Sequence, residues 1–264
     1  MFVDAHSHWS DSRWNQNPSE IQKNLNLAAL EKIHFFLQGG TDPANWQRQK
    51  VLQKEYPKSF GLSFGLHPYF IAANDEQDCE VALDQLAKEL PSAMALGECG
   101  LDFRPHIMKE SMILQIEFFE NQLELAKAFK KPMIVHCVQA HDKLLQILDI
   151  WGLPSEGGFL HAFNGSFETA KRYIDRGFLV SISGAVTFDK NRKLHDCVKK
   201  IPLEYLLLES DSPDQAPEGW QGLNNSTSIR VIAEKVAQLR GISFLEVLEI
   251  TTSNFKRLFR MSQT

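Results

Sequence analysis

The sequence contains no long apolar run, which excludes a membrane-spanning helix, since such a helix needs about 18 or more consecutive apolar residues. It also lacks paired cysteines. Its four cysteines are scattered, with no Cys-x-x-Cys pair to suggest a disulfide framework or a zinc finger. Asp4 and His6 follow directly on the first apolar residues, so we expect no signal peptide. These absences predict a cytoplasmic protein with reduced thiols.

An excess of positive charge is also missing. The formal net charge is −5, which gives no general attraction to nucleic acid. A polyanionic substrate would therefore need a local site in which metal ions supply the positive charge. The sequence shows no feature that calls for a membrane or for an obligatory protein partner.

Short apolar runs alternate with amphipathic stretches along the whole chain, as in parallel sheets whose strands are connected by helices. We predict strands at Phe2–Ala5, Ile33–Leu37, Ser59–Phe64, Ala93–Gly97, Met133–Val135, Gly158–Leu160, Phe178–Ser181 and Leu206–Leu208. We predict helices at Ser19–Lys32, Pro43–Tyr56, Glu80–Glu89, Met108–Lys130, His141–Trp151, Phe167–Arg176, Leu194–Lys199 and Ser226–Arg240, and a last one from Phe244. This pattern predicts a single α/β domain over residues 1–264, folded as a (β/α)8 TIM-like barrel. A doubly wound open sheet is the alternative, but no G-x-G-x-x-G motif follows a strand.

The first predicted strand runs into the segment Asp4-Ala5-His6-Ser7-His8. Residues two apart in a strand point to the same face, so His6 and His8 form half of a metal site. Ligand-type residues end other predicted strands in the same way: His67, Glu98, Asp102, His136, His161 and Asp211. In a barrel the C-terminal ends of the strands carry the functional residues, so we expect these side chains to meet at one end.

The expected metal ligands are four imidazoles and two carboxylates: His6, His8, His136, His161, Glu98 and Asp211. This set is larger than one tetrahedral zinc ion needs. We therefore expect two divalent ions (zinc, manganese or magnesium), about 3.5–4 Å apart, that hold a bridging hydroxide. Glu98 is the expected bridge, because a carboxylate can bridge two ions whereas an imidazole cannot. One ion is assigned to His6, His8 and Asp211, and the other to His136 and His161. Asp211 is also expected to orient or deprotonate the attacking water.

Several motifs follow one another along nearly the whole chain. They are Asp4-Ala5-His6-Ser7-His8, Gly65-Leu66-His67-Pro68, Gly97-Glu98-Cys99-Gly100-Leu101-Asp102, Gln122-Leu123 with Leu125-Ala126 before Pro132 and His136, His161-Ala162-Phe163-Asn164-Gly165, Glu209-Ser210-Asp211-Ser212-Pro213, and Thr252 with Asn254. In these motifs the chain resembles the TatD-like metal-dependent deoxyribonuclease family of the amidohydrolase superfamily. The resemblance implies a TIM-like barrel, a two-metal site and hydrolysis of phosphodiesters, usually in DNA.

Two regions depart from the common pattern of that family. Many members carry an arginine two residues after the histidine of strand five, where this chain has Val138. Many also carry a basic loop after strand eight, where this chain has residues 217–224, with Asp214 just upstream. Both departures remove phosphate contacts, so we expect DNA binding to be weak while hydrolysis is retained.

Other residues are candidates for substrate contacts. Lys190 and Arg192, after the seventh strand, are expected to compensate for the missing basic residues, although a solvated charged loop is the alternative. His67 is expected to touch substrate rather than metal. Asp102 is expected to hold a metal ligand or the loop that follows it, or else to cap a helix. Trp220 is expected to stack on a base or to cover the pocket.

Three classes of function remain open at this point. The leading hypothesis is a phosphodiesterase or deoxyribonuclease acting on DNA ends or on small phosphoesters through a metal-bridging hydroxide. The second is an amide, ester or lactone hydrolase, including an aminoacyl-tRNA deacylase. In many two-metal relatives of that second kind a carbamylated lysine at strand four bridges the metals, and Glu98 at this place favours the phosphodiesterase. The third is a non-catalytic metal-binding scaffold, which is disfavoured because all six ligand positions are filled.

Overall fold

The protein is built on parallel strands that are connected by helices. The computed structural model describes residues 1–14 and 18–262. Its strands are β1 (Phe2–Ser7), β2 (Ile33–Gln38), β3 (Phe60–Gly61), β4 (Ser63–Phe64), β5 (Ala95–Asp102), β6 (Met133–Val138), β7 (Gly158–Leu160), β8 (Phe178–Ile182) and β9 (Leu206–Leu208). Its α-helices are α1 (Pro18–Leu30), α2 (Pro43–Glu55), α3 (Pro68–Ala73), α4 (Glu76–Glu89), α5 (Pro105–Met108), α6 (Met112–Ala128), α7 (His141–Trp151), α8 (Phe167–Ile174), α9 (Arg192–Lys200), α10 (Ser228–Arg240) and α11 (Phe244–Leu258). None of these helices combines the length and the apolar character that crossing a bilayer requires.

The strands form the closed wall that the sequence predicted. They pair in parallel, in the orders β1-β2-β3 and β4-β5-β6-β7-β8-β9. Leu62 alone separates β3 from β4 in the chain. Between the first and last strands, the N–H of Asp211 donates to the carbonyl of His6 at 3.0 Å. The N–H of His8 donates to the carbonyl of Ser212 at 2.7 Å, so these two hydrogen bonds close a TIM-like barrel.

Two apolar layers stabilise the barrel, one inside the wall and one between the wall and the helices. The outer layer contains the larger cluster of buried residues. The inner layer consists of Val3, Ala5, Leu37, Ala95, Ile134, Phe159, Leu179 and Leu207, with Phe255 of α11. Side chains alternate along a strand, so a residue two positions beyond an inward-facing one also faces inward. Ile134 and Phe159 face inward, and His136 and His161 therefore emerge just above the inner layer.

The predicted elements differ from the observed ones mainly near the site. The fourth strand was predicted to end at Gly97, but β5 continues to Asp102, so Glu98 and Asp102 lie within the strand. The apolar run stops early because these two carboxylates face the site. Gly100 has φ +138°, and a Cβ there would collide with the carbonyl group of His136 on β6. The helix predicted over Met108–Lys130 is α6, which begins four residues later at Met112, and α3 and α5 were not predicted.

Candidate metal centre

The structure brings together the six side chains that the sequence predicted as metal ligands: His6, His8, Glu98, His136, His161 and Asp211. Five of them line a cavity of about 760 Å³ at the C-terminal ends of the strands. The sixth, His6, is fully buried beside them. The strand register explains the gathering, because parallel strands of a barrel deliver their C-terminal ends to one face.

Glu98 lies between two sets of imidazoles, and each of its carboxylate oxygens faces a different set. Its Oε1 is 3.1 Å from Nε2 of His6 and 3.2 Å from Nε2 of His8. Its Oε2 is 2.9 Å from Nε2 of His161 and 3.9 Å from Nδ1 of His136. A carboxylate placed in this way has one oxygen for each of two cations.

Asp211 faces the first of these sets. Its Oδ1 lies 3.2 Å from Nε2 of His8 and 3.6 Å from Nε2 of His6. The backbone of Asp211 has φ +50°, in the left-handed region that non-glycine residues rarely adopt. Its N–H is held by the carbonyl of His6. This unusual conformation turns the carboxylate toward His6 and His8, and backbone conformations of this kind often occur at functional sites.

The donor atoms of the site are placed to bind cations rather than to form hydrogen bonds with one another. Within the described residues, Nε2 of His6, Oε1 of Glu98 and Oδ1 of Asp211 are buried and have no hydrogen-bond partner. Buried polar atoms without partners are costly unless something binds them. Three groups have ligand atoms within 4.8 Å of one another: His6–His161–Asp211, His6–His8–Glu98 and His67–Glu98–His136. The residues present therefore suit divalent metal ions.

Gly39, just after β2, gives the imidazoles of β1 their space. A Cβ at this position would lie 2.5 Å from Cε1 of His6, 2.6 Å from Cε1 of His8 and 2.7 Å from Oε1 of Glu98. Carbon atoms do not approach this closely without a shift of the neighbours. Sequence reasoning missed Gly39, and the pair Gly39-Gly40 at the end of an apolar strand was the signal that could have found it.

Two further carboxylates stand behind the histidines of β6 and β7. Asp102 is fully buried, and its Oδ2 lies 3.1 Å from Nε2 of His136. Oε1 of Glu209 lies 3.6 Å from Nδ1 of His161. A carboxylate hydrogen-bonded to an imidazole fixes the ring and its tautomer, so Nδ1 of His136 keeps its lone pair for the site. Glu209 lies beyond hydrogen-bond distance of His161, and its Oε1 accepts the N–H of Ala162 instead. Contact with His136 agrees with one of the roles that the sequence suggested for Asp102, while the ligand role of His136 stays a prediction.

His67 also lies near the carboxylate of Glu98, but the N–H of its ring points toward that carboxylate, whereas the N–H of His136 points toward Asp102. It caps the N-terminus of α3, where its Nδ1 accepts the N–H of Tyr69 at 3.0 Å. Burial lowers the pKa of His67 well below its usual value, so the ring is neutral. With Nδ1 accepting, the proton sits on Nε2, which points toward Oε2 of Glu98 at 3.7 Å. This geometry favours a hydrogen-bond donor over a metal ligand.

Opposite charges shift the pKa values within the cluster. Burial alone would raise the pKa of Glu98, but the imidazoles of His161, His6 and His8 hold it well below its usual range. Burial likewise opposes protonation of His8, but the carboxylates of Glu98 and Asp211 raise its pKa to about 9. Protons and metal ions therefore compete for the same negative site, and metal binding displaces the protons.

Two arginines that sequence reasoning missed line the cavity. Arg13 follows β1, and Arg104 follows β5. Arg13 lies in a short 3-10 helix, Ser12–Trp14, and Arg104 lies in a loop, and the apolar pattern defines the course of neither segment. The one signal was that Arg104 stands two residues after Asp102, close enough for an ion pair, and such a pair is present with Nη2 and Oδ2 2.6 Å apart.

The other predicted substrate contacts lie farther out. Lys190 lines a second cavity of about 350 Å³, and Gln215 borders both cavities. Arg192 is exposed at the first residue of α9. Trp220 is half-buried and donates its indole N–H to the carbonyl of Leu223 at 3.2 Å. Neither Arg192 nor Trp220 is among the described residues that line the two cavities. The substrate contacts of Lys190, Arg192 and Trp220 all stay predictions.

Comparison with known proteins agrees with this geometry. The family model described as "TatD related DNase" matches residues 3–260. A relative from Bacillus subtilis, named uncharacterized metal-dependent hydrolase YabD, is 33% identical over 263 residues, covering 99% of this chain and 100% of the relative. A relative from Escherichia fergusonii, named 3'-5' ssDNA/RNA exonuclease TatD, is 29% identical over 239 residues, covering 87% of this chain and 89% of the relative.

A solved structure shows the same fold. The TatD homologue YJJV of Escherichia coli K12 superposes with a TM-score of 0.86 at 28% identity and covers 99% of this chain and 98% of its own. The family model and the relatives extend over almost the whole chain, as the motifs did. The chain therefore belongs to the TatD family of metal-dependent hydrolases.

Proposed function

We propose that the protein is a two-metal phosphodiesterase that acts on the ends of DNA strands. The observation that carries the proposal is the position of Glu98, whose two oxygens face two separate sets of histidines. Two cations about 3.5–4 Å apart are the arrangement that phosphoryl transfer uses to hold the attacking and leaving oxygens. The name of the relative from Escherichia fergusonii, an exonuclease for single-stranded DNA and RNA, supports this substrate class.

The distances support the following ligand sets. His6, His8 and Asp211 would hold one ion, His136 and His161 the other, and Glu98 would bridge them. Bound there, the ions would supply Lewis acidity toward the phosphoryl oxygen and lower the pKa of the attacking water.

The protein's own groups have the remaining tasks. Asp211 accepts the proton of the attacking water or holds that water in line, since its carboxylate lies at the floor of the cavity beside His8. Asp102 keeps the ring of His136 fixed. His67 has its Nε2–H free to donate to an oxygen of the substrate.

A hydrolase of amides or esters, such as an aminoacyl ester, is the second candidate. The observation that favours it is the acidic lining of the cavity, where Asp42 and Asp214 join the carboxylates of the metal centre. A negative wall suits an ammonium group next to a scissile carbonyl better than it suits a polyphosphate chain.

One experiment separates the two candidates. Purified protein is analysed for metal, and the same sample is assayed on single-stranded DNA, bis-p-nitrophenyl phosphate and an aminoacyl ester. We expect two divalent ions per chain and hydrolysis of both phosphodiesters, lost on chelation and restored by added metal. Hydrolysis of the aminoacyl ester alone would establish the second candidate in place of the first.

A further inference from the structure

Arg104 presents an unused edge of its guanidinium to the cavity. Its Nε donates to Oδ1 and Oδ2 of Asp102 at 3.0 and 3.1 Å, and its Nη2 donates to Oδ2 of Asp102 and to the hydroxyl of Tyr69. Among the described residues, none accepts a hydrogen bond from Nη1. The side chain is 33% exposed and lines the cavity. Arg104 is therefore a fixed cation with donors left for a ligand.

Arg13, the other arginine of the cavity, is occupied. Its Nε and Nη2 donate to the two oxygens of Asp11, both at 2.9 Å. Its Nη1 and Nη2 donate to the two oxygens of Asp214 at 2.8 and 2.6 Å. Two carboxylates share one cation here, so this corner of the cavity is net negative and does not attract an anion.

Tyr69 supplies a second donor beside Arg104. Its hydroxyl oxygen accepts from Nη2 of Arg104, so its own proton stays available. Burial raises the pKa of Tyr69, and the hydroxyl therefore remains protonated at neutral pH. The ring lies edge-on to His67 at 4.5 Å and to His136 at 6.2 Å between ring centroids. The donor pair is thus next to the proposed metal centre.

We propose that Arg104 and Tyr69 form an anion subsite that binds a phosphate group of the substrate. The proposal rests on the proposed function and makes it more specific, since this pair would select phosphoesters over neutral esters in an acidic cavity. Asp102 pairs with Val138 in the register of β5 and β6, so Arg104 stands beside the strand end where Val138 offers no charge. Nη1 of Arg104 and the hydroxyl of Tyr69 can reach two oxygens of one phosphate.

The first test measures binding rather than turnover. Inorganic phosphate is titrated calorimetrically into metal-loaded wild type, Arg104→Gln and Tyr69→Phe. Arg176→Gln is the matched control, because Arg176 also forms a bidentate pair, with Asp149 at 2.8 and 2.9 Å, but on the outer surface. We expect the dissociation constant to rise about 10- to 10²-fold for Arg104→Gln and several-fold for Tyr69→Phe, with no change in the control. Unchanged phosphate affinity in both variants, at full metal content, would overturn the subsite.

A second test separates anion binding from the support of His136 through Asp102. Tyr69→Phe leaves the contacts of Asp102 intact, and it should raise KM for bis-p-nitrophenyl phosphate while metal content stays the same. In both Arg104→Gln and Tyr69→Phe, the loss should be larger on bis-p-nitrophenyl phosphate than on a neutral ester, p-nitrophenyl acetate. Equal losses on both substrates, together with lost metal, would mean that Arg104 only positions the metal ligands. If wild type hydrolyses no phosphoester, the proposed function fails, and the phosphate titration still decides the subsite.

Discussion

Asp4, on the first strand, holds Ser210, which follows the last strand. Oδ1 of Asp4 accepts the N–H of Ser210 at 2.8 Å, and Oδ2 accepts its hydroxyl at 2.6 Å. The hydroxyl of Ser226 donates to the same Oδ2 at 2.6 Å. Asp4 is fully buried, and this burial raises its pKa to about 6, although the hydrogen bonds from Ser210 and Ser226 lower it. The contact brings His6, on β1, and Asp211, which follows β9, side by side.

Replacing Asp4 should therefore weaken the closure of the barrel. Asp4→Ala leaves four buried donors without their acceptor, since Oδ1 also accepts the N–H of His6 at 3.4 Å, and each such group costs about 1–3 kcal/mol. We expect the free energy of unfolding to fall by about 4 kcal/mol or more, measured by urea denaturation. Ser226→Ala removes one of the four contacts and should cost only about 1 kcal/mol. A loss for Asp4→Ala no larger than that for Ser226→Ala would show that the closure does not depend on this carboxylate.

Gly39→Ala should damage the metal centre while the fold survives. The new methyl group would push against the rings of His6 and His8, and the ring of His6 cannot retreat because it is fully buried. We expect metal affinity to fall at least about tenfold, measured by competition with a chelator, with an unchanged circular dichroism spectrum. Gly152→Ala is the control: its Cβ would meet open space at φ +71°, so it should cost some stability but no metal.

The sequence predicted most of the barrel because apolar runs and their lengths mark buried parallel strands. It also predicted the six ligand candidates, since strand ends in a barrel face one site. It did not predict Arg13, Arg104 or Gly39. Their positions depend on the paths of loops and on the close approach of segments far apart in sequence. The periodicity of apolar residues predicts neither. The burial of His195 was likewise not predicted. His195 is buried, and its Nε2 lies 2.8 Å from the carbonyl oxygen of Val186.

Glu98→Ala should lose metal more readily than His6→Ala does. A bridging carboxylate serves two ions, whereas His6 belongs to one, and the two oxygens of Glu98 face separate sets of histidines. After dialysis against a weak chelator, we expect elemental analysis to find both ions lost from Glu98→Ala and one retained in His6→Ala. Two ions bound to Glu98→Ala at wild-type affinity would rule out the bridge.

Binding of single-stranded DNA should be weak and only modestly dependent on salt. The net charge is −5, Arg13 is neutralised by two carboxylates, and Val138 replaces a cation common in the family. Each phosphate contact adds about 0.7 to the slope of log affinity against log salt, so we expect a slope of about 1–2. Fluorescence anisotropy with a labelled oligonucleotide at several salt concentrations measures it. A slope of about 4 or more would reveal a basic groove that the cavity lining does not contain.

Asp211→Asn should fold and retain metal, yet lose most of its hydrolytic activity. Asparagine is nearly isosteric, and its carbonyl oxygen can still approach the position of Oδ1, so the closure by the N–H of Asp211 is kept. The variant lacks the negative charge that accepts a proton from the attacking water. General-base catalysis contributes about 10²–10⁴-fold in rate, and we expect turnover to fall by that order on any phosphodiester.

A metal titration distinguishes this role from simple ligation. If Asp211 only binds metal, saturating metal should return Asp211→Asn to near wild-type turnover, because the ligand lost is compensated by mass action. If it takes the proton, turnover stays low at every metal concentration even though the site is full. His8→Asn provides the comparison, since His8 lies 3.2 Å from Oδ1 of Asp211 and is assigned to the same ion without a proton-accepting role. We expect added metal to restore much of the activity of His8→Asn and almost none of that of Asp211→Asn.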